Sequence, residues 1–244
     1  MTGAGISAES GVPTFRGPGG LWREFRPEDL ATADAFARDP RLVWEWYEWR
    51  REKLRACGPN AGHLALARWM LARGGVTLVS QNVDGLHESA ARSMGVADPA
   101  PAMPVRLHGS IARVRCSRCD YSMDRPDPVD STSLATLPHC PTCEALLRPD
   151  VVWFGESLPE AAMGRADIAA HTADACLVVG TAGAVYPAAG LVLAVHVRGR
   201  PVIVVDPGGT AFDSVAAVKL VGKAGDLLPA LLADSSEFRV PSSE

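Results

Sequence analysis

Four of the six cysteines stand in two C-x-x-C pairs, Cys116/Cys119 and Cys140/Cys143, with 20 residues between Cys119 and Cys140. Thiolates at this spacing close a tetrahedral zinc site, and four protein ligands leave no open position for water. The metal expected here is one structural Zn2+. His139 competes as a ligand only through its place beside Cys140. A redox role for the pairs ranks below zinc, which uses all four thiols. Cys57 and Cys176 stand alone.

A second group of residues suits proton transfer and polar ligand binding. His108, in Leu107-His108-Gly109, has the side chain that titrates near neutrality and can act as a general base. An isolated histidine is more often packed or facing solvent. Gln81, Asn82 and Asp84 leave an apolar run together, in Ser80-Gln81-Asn82-Val83-Asp84-Gly85-Leu86-His87. A turn alone would also use Asn and Asp-Gly. The opening Gly3-Ala4-Gly5-Ile6-Ser7-Ala8-Glu9-Ser10-Gly11 is a glycine-rich turn leading into a short helix, which can bring backbone N–H groups close to a phosphate. Ala8 stands where G-x-G-x-x-G has its third glycine, so this motif alone is weak.

The elements that must position these groups are legible as apolar runs. Val76–Ser80, Ala175–Val179, Val202–Val205 and Ala217–Val221 are continuously apolar and end in polar or glycine-rich sequence. Such runs predict strands covered on both faces, as in a parallel sheet. Helical patterns follow at about Gly62–Ala72, Glu160–Thr172, Ala188–Arg198 and Asp226–Ala233. The alternation predicts a doubly wound α/β domain, whose ligands bind beyond the carboxyl ends of the strands. Arg41–Ala56, a helical run with three of the six tryptophans, and Ile111–Leu147, with both C-x-x-C pairs, break the rhythm and read as inserts forming a smaller lobe. Only Met1 and Thr2 precede the Gly3 turn, so the first strand is expected to be missing or truncated, exposing its neighbours.

Composition excludes several classes. The 244 residues are 47% hydrophobic and 21% charged, the balance of a folded soluble chain rather than a disordered one. A net charge of −4 argues against nucleic-acid binding. The longest apolar runs are too short to cross a bilayer, and the opening residues lack the basic start and apolar stretch of a secretory signal. The expectation is a cytoplasmic protein with no membrane or nucleic-acid partner, plausibly a monomer.

Taken together and in order, these motifs resemble the sirtuin family of NAD-dependent protein lysine deacylases. The matching residues are Gly3–Ser10 with Gly11-Val12-Pro13-Thr14-Phe15-Arg16, Gln81-Asn82-Val83-Asp84, His108-Gly109, the four cysteines, Val152-Trp153-Phe154-Gly155-Glu156, and Gly180-Thr181 with Pro187-Ala188-Ala189. The resemblance implies a Rossmann-like doubly wound parallel sheet with a smaller zinc-binding and helical lobe, in one catalytic domain over 1–244. The core would be 1–26, 61–109 and 148–244; the lobe would be 27–60, helical, and 110–147, zinc-binding. It implies NAD+ as a consumed co-substrate and acylated-lysine proteins or peptides as partners. The acyl oxygen would displace nicotinamide, giving free lysine, nicotinamide and an O-acyl-ADP-ribose.

Residue by residue, the resemblance implies His108 as general base, with Asn82 and Asp84 in the catalytic set. The implied cofactor residues are Gly3, Ala4, Gly5, Ile6, Ser7, Glu9, Pro13, Thr14, Phe15, Arg16, Trp22, Gln81, Asn82, Asp84, Gly180, Thr181, Ala182, Asp206 and Ala224. Val151, Val152, Trp153, Phe154, Gly155 and Glu156 would pair with the substrate backbone as an added strand. Ala182 departs from a common Ser, and Asp206 from a common Asn. Asp206 could accept from ribose hydroxyls, or simply open the turn at Pro207.

Tyr47 and Arg50 lie three apart on one predicted helix face and resemble the Tyr-x-x-Arg pair of class III sirtuins, which handle succinyl-, malonyl- and glutaryl-lysine. A guanidinium can grip the distal carboxylate at two points, with a phenol adding a bond. Ala31 resembles the small residue that makes room for the longer acyl chain. The competing reading packs Tyr47 among tryptophans and points Arg50 to water beside Arg51. Two other functions stay open at this point: mono-ADP-ribosyl transfer from NAD, and a non-catalytic zinc-bearing module that binds NAD or acyl-lysine.

Overall fold

The computed structural model describes residues 1–13, 26–125 and 127–233. In chain order the elements are α1 (Ala4–Ser7), α2 (Pro27–Leu30), α3 (Ala33–Arg38), α4 (Pro40–Arg55), α5 (Ala61–Arg73), β1 (Val79–Ser80), α6 (Leu86–Ser93), β2 (Val105–Arg106) and β3 (Gly109–Cys116). They continue with β4 (Ser122–Asp124), β5 (Leu147–Val151), α7 (Glu160–Thr172), β6 (Cys176–Val179), α8 (Ala188–Val197), β7 (Val202–Val205), β8 (Val218–Leu220) and α9 (Ala224–Leu231). Among the described residues no helix is long and apolar enough to cross a membrane.

The parallel strands carry the expected doubly wound arrangement. β6 pairs with β7 and β7 with β8, with Val179 opposite Val205 and Val205 opposite Leu220. β1 pairs with β2, Val79 opposite Val105. Val178, Val202 and Val204 are wholly buried because helices cover both faces, which is why the runs are continuously apolar.

Thr2 joins the two halves of this sheet, bridging in parallel to Ser80 on one side and Val179 on the other. The sheet therefore stays connected through this residue. The predicted strand Val76–Ser80 forms over Val79–Ser80, where it pairs with Val105 and Arg106.

The second lobe is a three-stranded antiparallel sheet, β4-β3-β5, packed against α2, α3 and α4. Its core holds Leu30, Phe36, Trp44, Tyr47, Val114, Leu147 and Trp153, and the Trp44 indole donates to the Leu147 carbonyl at 2.9 Å. Local signals set the helix starts. Asp39 accepts from Leu42 N–H at 2.9 Å, with Pro40 in the first turn of α4. Asn60 caps α5 reciprocally with His63. The last helix starts at Ala224, two residues earlier than predicted, where the Glu9 carboxylate accepts from Gly225 N–H at 2.7 Å.

Candidate active site

The polar ends of β1 and β2 bring His108 and Gln81 together. His108 Nδ1 lies 2.9 Å from the Gln81 carbonyl oxygen. A carbonyl only accepts, so Nδ1 carries the proton and Nε2 of the neutral ring keeps its lone pair, the form a general base needs. Burial lowers the His108 pKa below its ordinary value, with the Gln81 carbonyl acting in the opposite direction. The Gln81 side chain crosses to β6, donating from Nε2 to Thr181 Oγ1 at 3.0 Å.

Ser7, on the single turn of α1, ties the neighbouring groups together. Its hydroxyl donates to Asp84 Oδ2 at 2.7 Å and accepts from Asn82 Nδ2 at 3.2 Å. Asp84 also accepts from Leu86 N–H at 2.9 Å. Burial raises the Asp84 pKa, against these two bonds and the Arg50 charge. One cleft is lined by Ala4, Val12, Pro13, Asn82, Val83 and Asp84, and on its far wall by Arg50, Lys53 and Leu54. Apolar walls with a few convergent amide and carboxylate groups suit a nucleotide sugar and a flat amide, so the residues present fit NAD+.

The glycines of the opening turn have a packing reason. A Cβ on Gly3 would stand 2.6 Å from Thr181 Cβ, and one on Gly5 would stand 2.7 Å from Gly180 Cα. Gly180, at φ +60°, needs the left-handed conformation as well. The two loops thus cross at backbone contact. Ile6 is fully buried in the core, and the Glu9 carboxylate caps α9. Ala224 is likewise buried, against Gly62.

Asp206 accepts from Gly208 N–H at 2.8 Å, the turn-opening role, and burial raises its pKa. Ala182 is exposed, its carbonyl accepting from Ala211 N–H at 3.0 Å. Thr14, Phe15, Arg16 and Trp22 lie outside the described residues.

Tyr47 and Arg50 are both buried on α4, 1% and 5% exposed, so the water-facing alternative for Arg50 does not hold. The Arg50 guanidinium lies 4.7 Å from the Trp46 ring centre and 5.4 Å from that of Tyr47. Burial depresses the Arg50 pKa and raises that of Tyr47. Trp153 donates from its indole nitrogen to the Tyr47 oxygen at 2.9 Å. Ala31 is buried beside this cluster.

The segment 151–156 spends most of its backbone inside the protein, which narrows the added-strand reading. Val152 N–H donates to the His108 carbonyl, Phe154 N–H to that of Ala31, and Glu156 N–H to that of Trp153. Trp153 N–H donates to Glu156 Oε2. The Trp153 and Glu156 side chains turn inward to Arg148, which stacks 3.5 Å over the indole and holds the carboxylate. Val151 belongs to β5, paired with Gly109. Phe154 is 52% exposed and Gly155, at φ +84°, makes the turn.

The four cysteine sulfurs converge to within 4.8 Å of one another, with Cys116–Cys143 at 3.5 Å and Cys119–Cys140 at 3.6 Å. A tetrahedral site with Zn–S near 2.3 Å has S···S edges of about 3.8 Å, so the cluster fits one structural Zn2+. Arg118 N–H and Thr142 N–H donate to the first sulfur of each pair.

Sequence reasoning missed His63. It is wholly buried, its Nδ1 accepts from Asn60 N–H, and its Nε2 therefore carries the proton that points to Ser7 Oγ at 3.4 Å. Burial lowers its pKa to about 4. The available signal was Asn60 with a polar residue three positions on, the pattern of a reciprocal cap. His87 packs edge-on against His63 at 4.8 Å, its Nε2 lying 2.9 Å from Thr2 Oγ1.

Comparison with known proteins agrees with this geometry. The Sir2 family profile matches residues 3–187. The NAD-dependent protein deacylase 2 of Pyrobaculum aerophilum is 48% identical over 95% of this chain and 88% of its own length. The NAD-dependent protein deacylase of Pyrococcus furiosus is 47% identical over 95% and 90%. A solved Sir2 homologue–NAD complex superposes with a TM-score of 0.85 at 43% identity, covering 95% of this chain and 86% of that one. A Sir2–p53 peptide–NAD+ complex gives 0.80 at 29%, covering 95% and 90%. With a family match over most of its length and relatives near half identity across almost all of it, the chain belongs to the Sir2 family.

Proposed function

We propose that this chain is an NAD-dependent protein lysine deacylase that prefers acyl groups ending in a carboxylate over acetyl. The preference rests on one observation: Arg50 is buried in the wall of the same cleft that holds Asn82 and Asp84. Its guanidinium is desolvated and faces the cleft beside the Asp84 charge and the Tyr47 ring. The carboxylate of succinyl-, malonyl- or glutaryl-lysine can meet a guanidinium there with two-point geometry, and acetyl has no such group.

NAD+ as co-substrate supplies the electrophilic ribose carbon and nicotinamide as leaving group. The chain's own residues do the rest. Ser7, Asn82 and Asp84 form a bonded set that holds the ribose and amide. His108 Nε2, fixed by the bond at Nδ1, takes a proton from a ribose hydroxyl. Phe154 and the Gly155 turn meet the peptide, using the backbone positions left after internal pairing. The four thiolates hold Zn2+, which cross-links the β3 turn to the loop before β5 and takes no part in the reaction.

The test is a rate comparison on matched acetyl- and succinyl-lysine peptides with NAD+, with products identified by mass. The reading requires O-acyl-ADP-ribose and a higher kcat/KM for succinyl. ADP-ribose attached to protein instead would favour the transferase reading, and equal rates would remove the acyl preference.

A further inference from the structure

Beyond Arg50, α4 brings a second cation to the same cleft: Lys53 lines it together with Leu54, Asn82, Val83 and Asp84. Residues three apart on a helix are neighbours on its surface, stepping about 4.5 Å along the axis. Tyr47, Arg50 and Lys53 therefore form one ridge on α4. The ridge grades outward, since Tyr47 and Arg50 are buried and Lys53, in the last turn, is exposed. Its inner end is fixed by Trp153, whose indole donates to the Tyr47 oxygen from the segment that carries Phe154. A chain entering beside Trp153 and following the ridge passes Tyr47, then Arg50, then Lys53.

The charges of the cleft do not cancel. Its lining holds Arg50 and Lys53 against one carboxylate, Asp84, an excess of positive charge in a chain of net charge −4. The Asp84 charge acts on Arg50. Other basic residues of α4 have carboxylate partners on their own helix: Arg41 pairs with Glu45, and Arg51 and Arg55 pair with Glu48. Among the described residues Lys53 pairs with no carboxylate. The turn that carries it is closed, its carbonyl accepting from Ala56 N–H and from the Cys57 thiol, both at 3.3 Å. Its ammonium therefore moves on a four-carbon stem rooted in a fixed turn.

We propose that Lys53 is a second carboxylate-binding residue of the acyl pocket, one that tilts the acidic-acyl preference, on which this role rests, toward glutaryl over malonyl. An extended chain advances roughly 1.2 Å per bond, so the two further methylenes of glutaryl carry its carboxylate roughly 2.4 Å beyond that of malonyl. Along the ridge that displacement runs from Arg50 toward Lys53. The guanidinium holds the shorter tail at two points, and the ammonium adds a contact to the longer one.

The test compares kcat/KM for glutaryl-, succinyl-, malonyl- and acetyl-lysine versions of one peptide, with KM for NAD+ measured alongside. It uses the unaltered chain, Lys53→Gln, Lys53→Arg and Lys53→Glu. The unaltered chain should favour glutaryl over malonyl, and both over acetyl. Lys53→Gln should lower the glutaryl-to-malonyl ratio about 3- to 5-fold, the upper range for an ion pair near solvent. Lys53→Arg should keep the ratio, and Lys53→Glu should lower it further. Salt at about 0.5 M should shrink the ratio in the unaltered chain and barely move it in Lys53→Gln. Each ratio is taken within one variant, so any loss of folded protein cancels. Acetyl turned over as fast as the acidic groups by the unaltered chain would overturn the acidic-acyl reading, and the role of Lys53 with it. An acidic preference that persists with the same glutaryl-to-malonyl ratio in Lys53→Gln would overturn the role of Lys53 alone. So would a Lys53→Gln defect confined to KM for NAD+, which would assign the ammonium to the cofactor.

Discussion

The Trp153 indole donates a hydrogen bond to the phenol oxygen of Tyr47, joining the segment after β5 to the middle of α4 at 2.9 Å. A phenol that accepts there has its own hydrogen free to point elsewhere, and the buried Arg50 is its neighbour on the helix. Arg50 lines the cleft, with the Tyr47 phenol buried beside it over a floor held by Arg148 stacked on the indole. Tyr47→Phe should raise KM for a succinyl-lysine peptide by about 3- to 10-fold, the worth of one hydrogen bond near 1 kcal/mol. It should also lower stability by about 1–3 kcal/mol, because the Trp153 N–H is left buried without an acceptor. Steady-state kinetics and urea unfolding read the two effects separately.

Arg50→Met keeps the length and removes the charge. Hydrogen bonds to charged groups contribute about 1.5–3 kcal/mol, so kcat/KM for desuccinylation should fall about 10- to 100-fold. Deacetylation should change far less. Losses of equal size on both peptides would show that Arg50 shapes the site without meeting a carboxylate.

His108→Ala should abolish turnover while leaving the circular dichroism spectrum and the Tm close to those of the unaltered chain. The ring's pKa is held below its ordinary 6.5 by burial. It is therefore neutral and basic throughout the neutral range, and log kcat/KM should rise with pH and level off before about pH 6.5. An inflection above pH 7 would contradict this assignment of the base.

His63 makes stability depend on pH. Its folded pKa of about 4 lies below the unfolded value near 6.5, so the native state keeps it neutral. Between those values the unfolded chain binds the extra proton, and stability falls as pH falls through this window. The full loss is on the order of 3 kcal/mol, complete near pH 4. Urea midpoints from pH 7 to 4 should show the decline, and His63→Gln should flatten part of it. His87, whose pKa is also lowered by burial, retains the remainder.

Metal analysis should find one zinc per chain, lost in Cys143→Ser or on treatment with a strong chelator. Because the four sulfurs tie β3 to the loop before β5, removal should loosen the lobe that carries Trp153 and lower Tm markedly. Restoring zinc to the unaltered chain should restore both. Retained stability without metal would make the cluster dispensable.

Much of this was legible in the sequence because the signals are local. Cys116, Cys119, Cys140 and Cys143 announce their metal by spacing, since a knuckle of two thiolates needs only the two residues between them. Val202–Val205 and Glu160–Thr172 match their elements residue for residue, because a doubly covered strand and a helix opened after Pro159 each leave a pattern in their own residues. The order of motifs along the chain was enough to identify the family.

What tertiary structure alone decided lies in contacts between distant segments. No pattern within α4 states whether Arg50 meets water or the Asn82 cleft; that depends on how the second lobe settles against the parallel sheet. Nothing local to Glu9 shows that it caps a helix 216 residues away. His63 gave no sign that its ring reaches Ser7, and Gly3 and Gly5 gave none that they cross Gly180 at backbone contact. Residue types and short spacings set which chemistry is available, because ligation and capping operate over a few bonds. Burial and hydrogen-bond partners arise only when separate elements pack, since desolvation is a property of the assembled surroundings and not of any one segment.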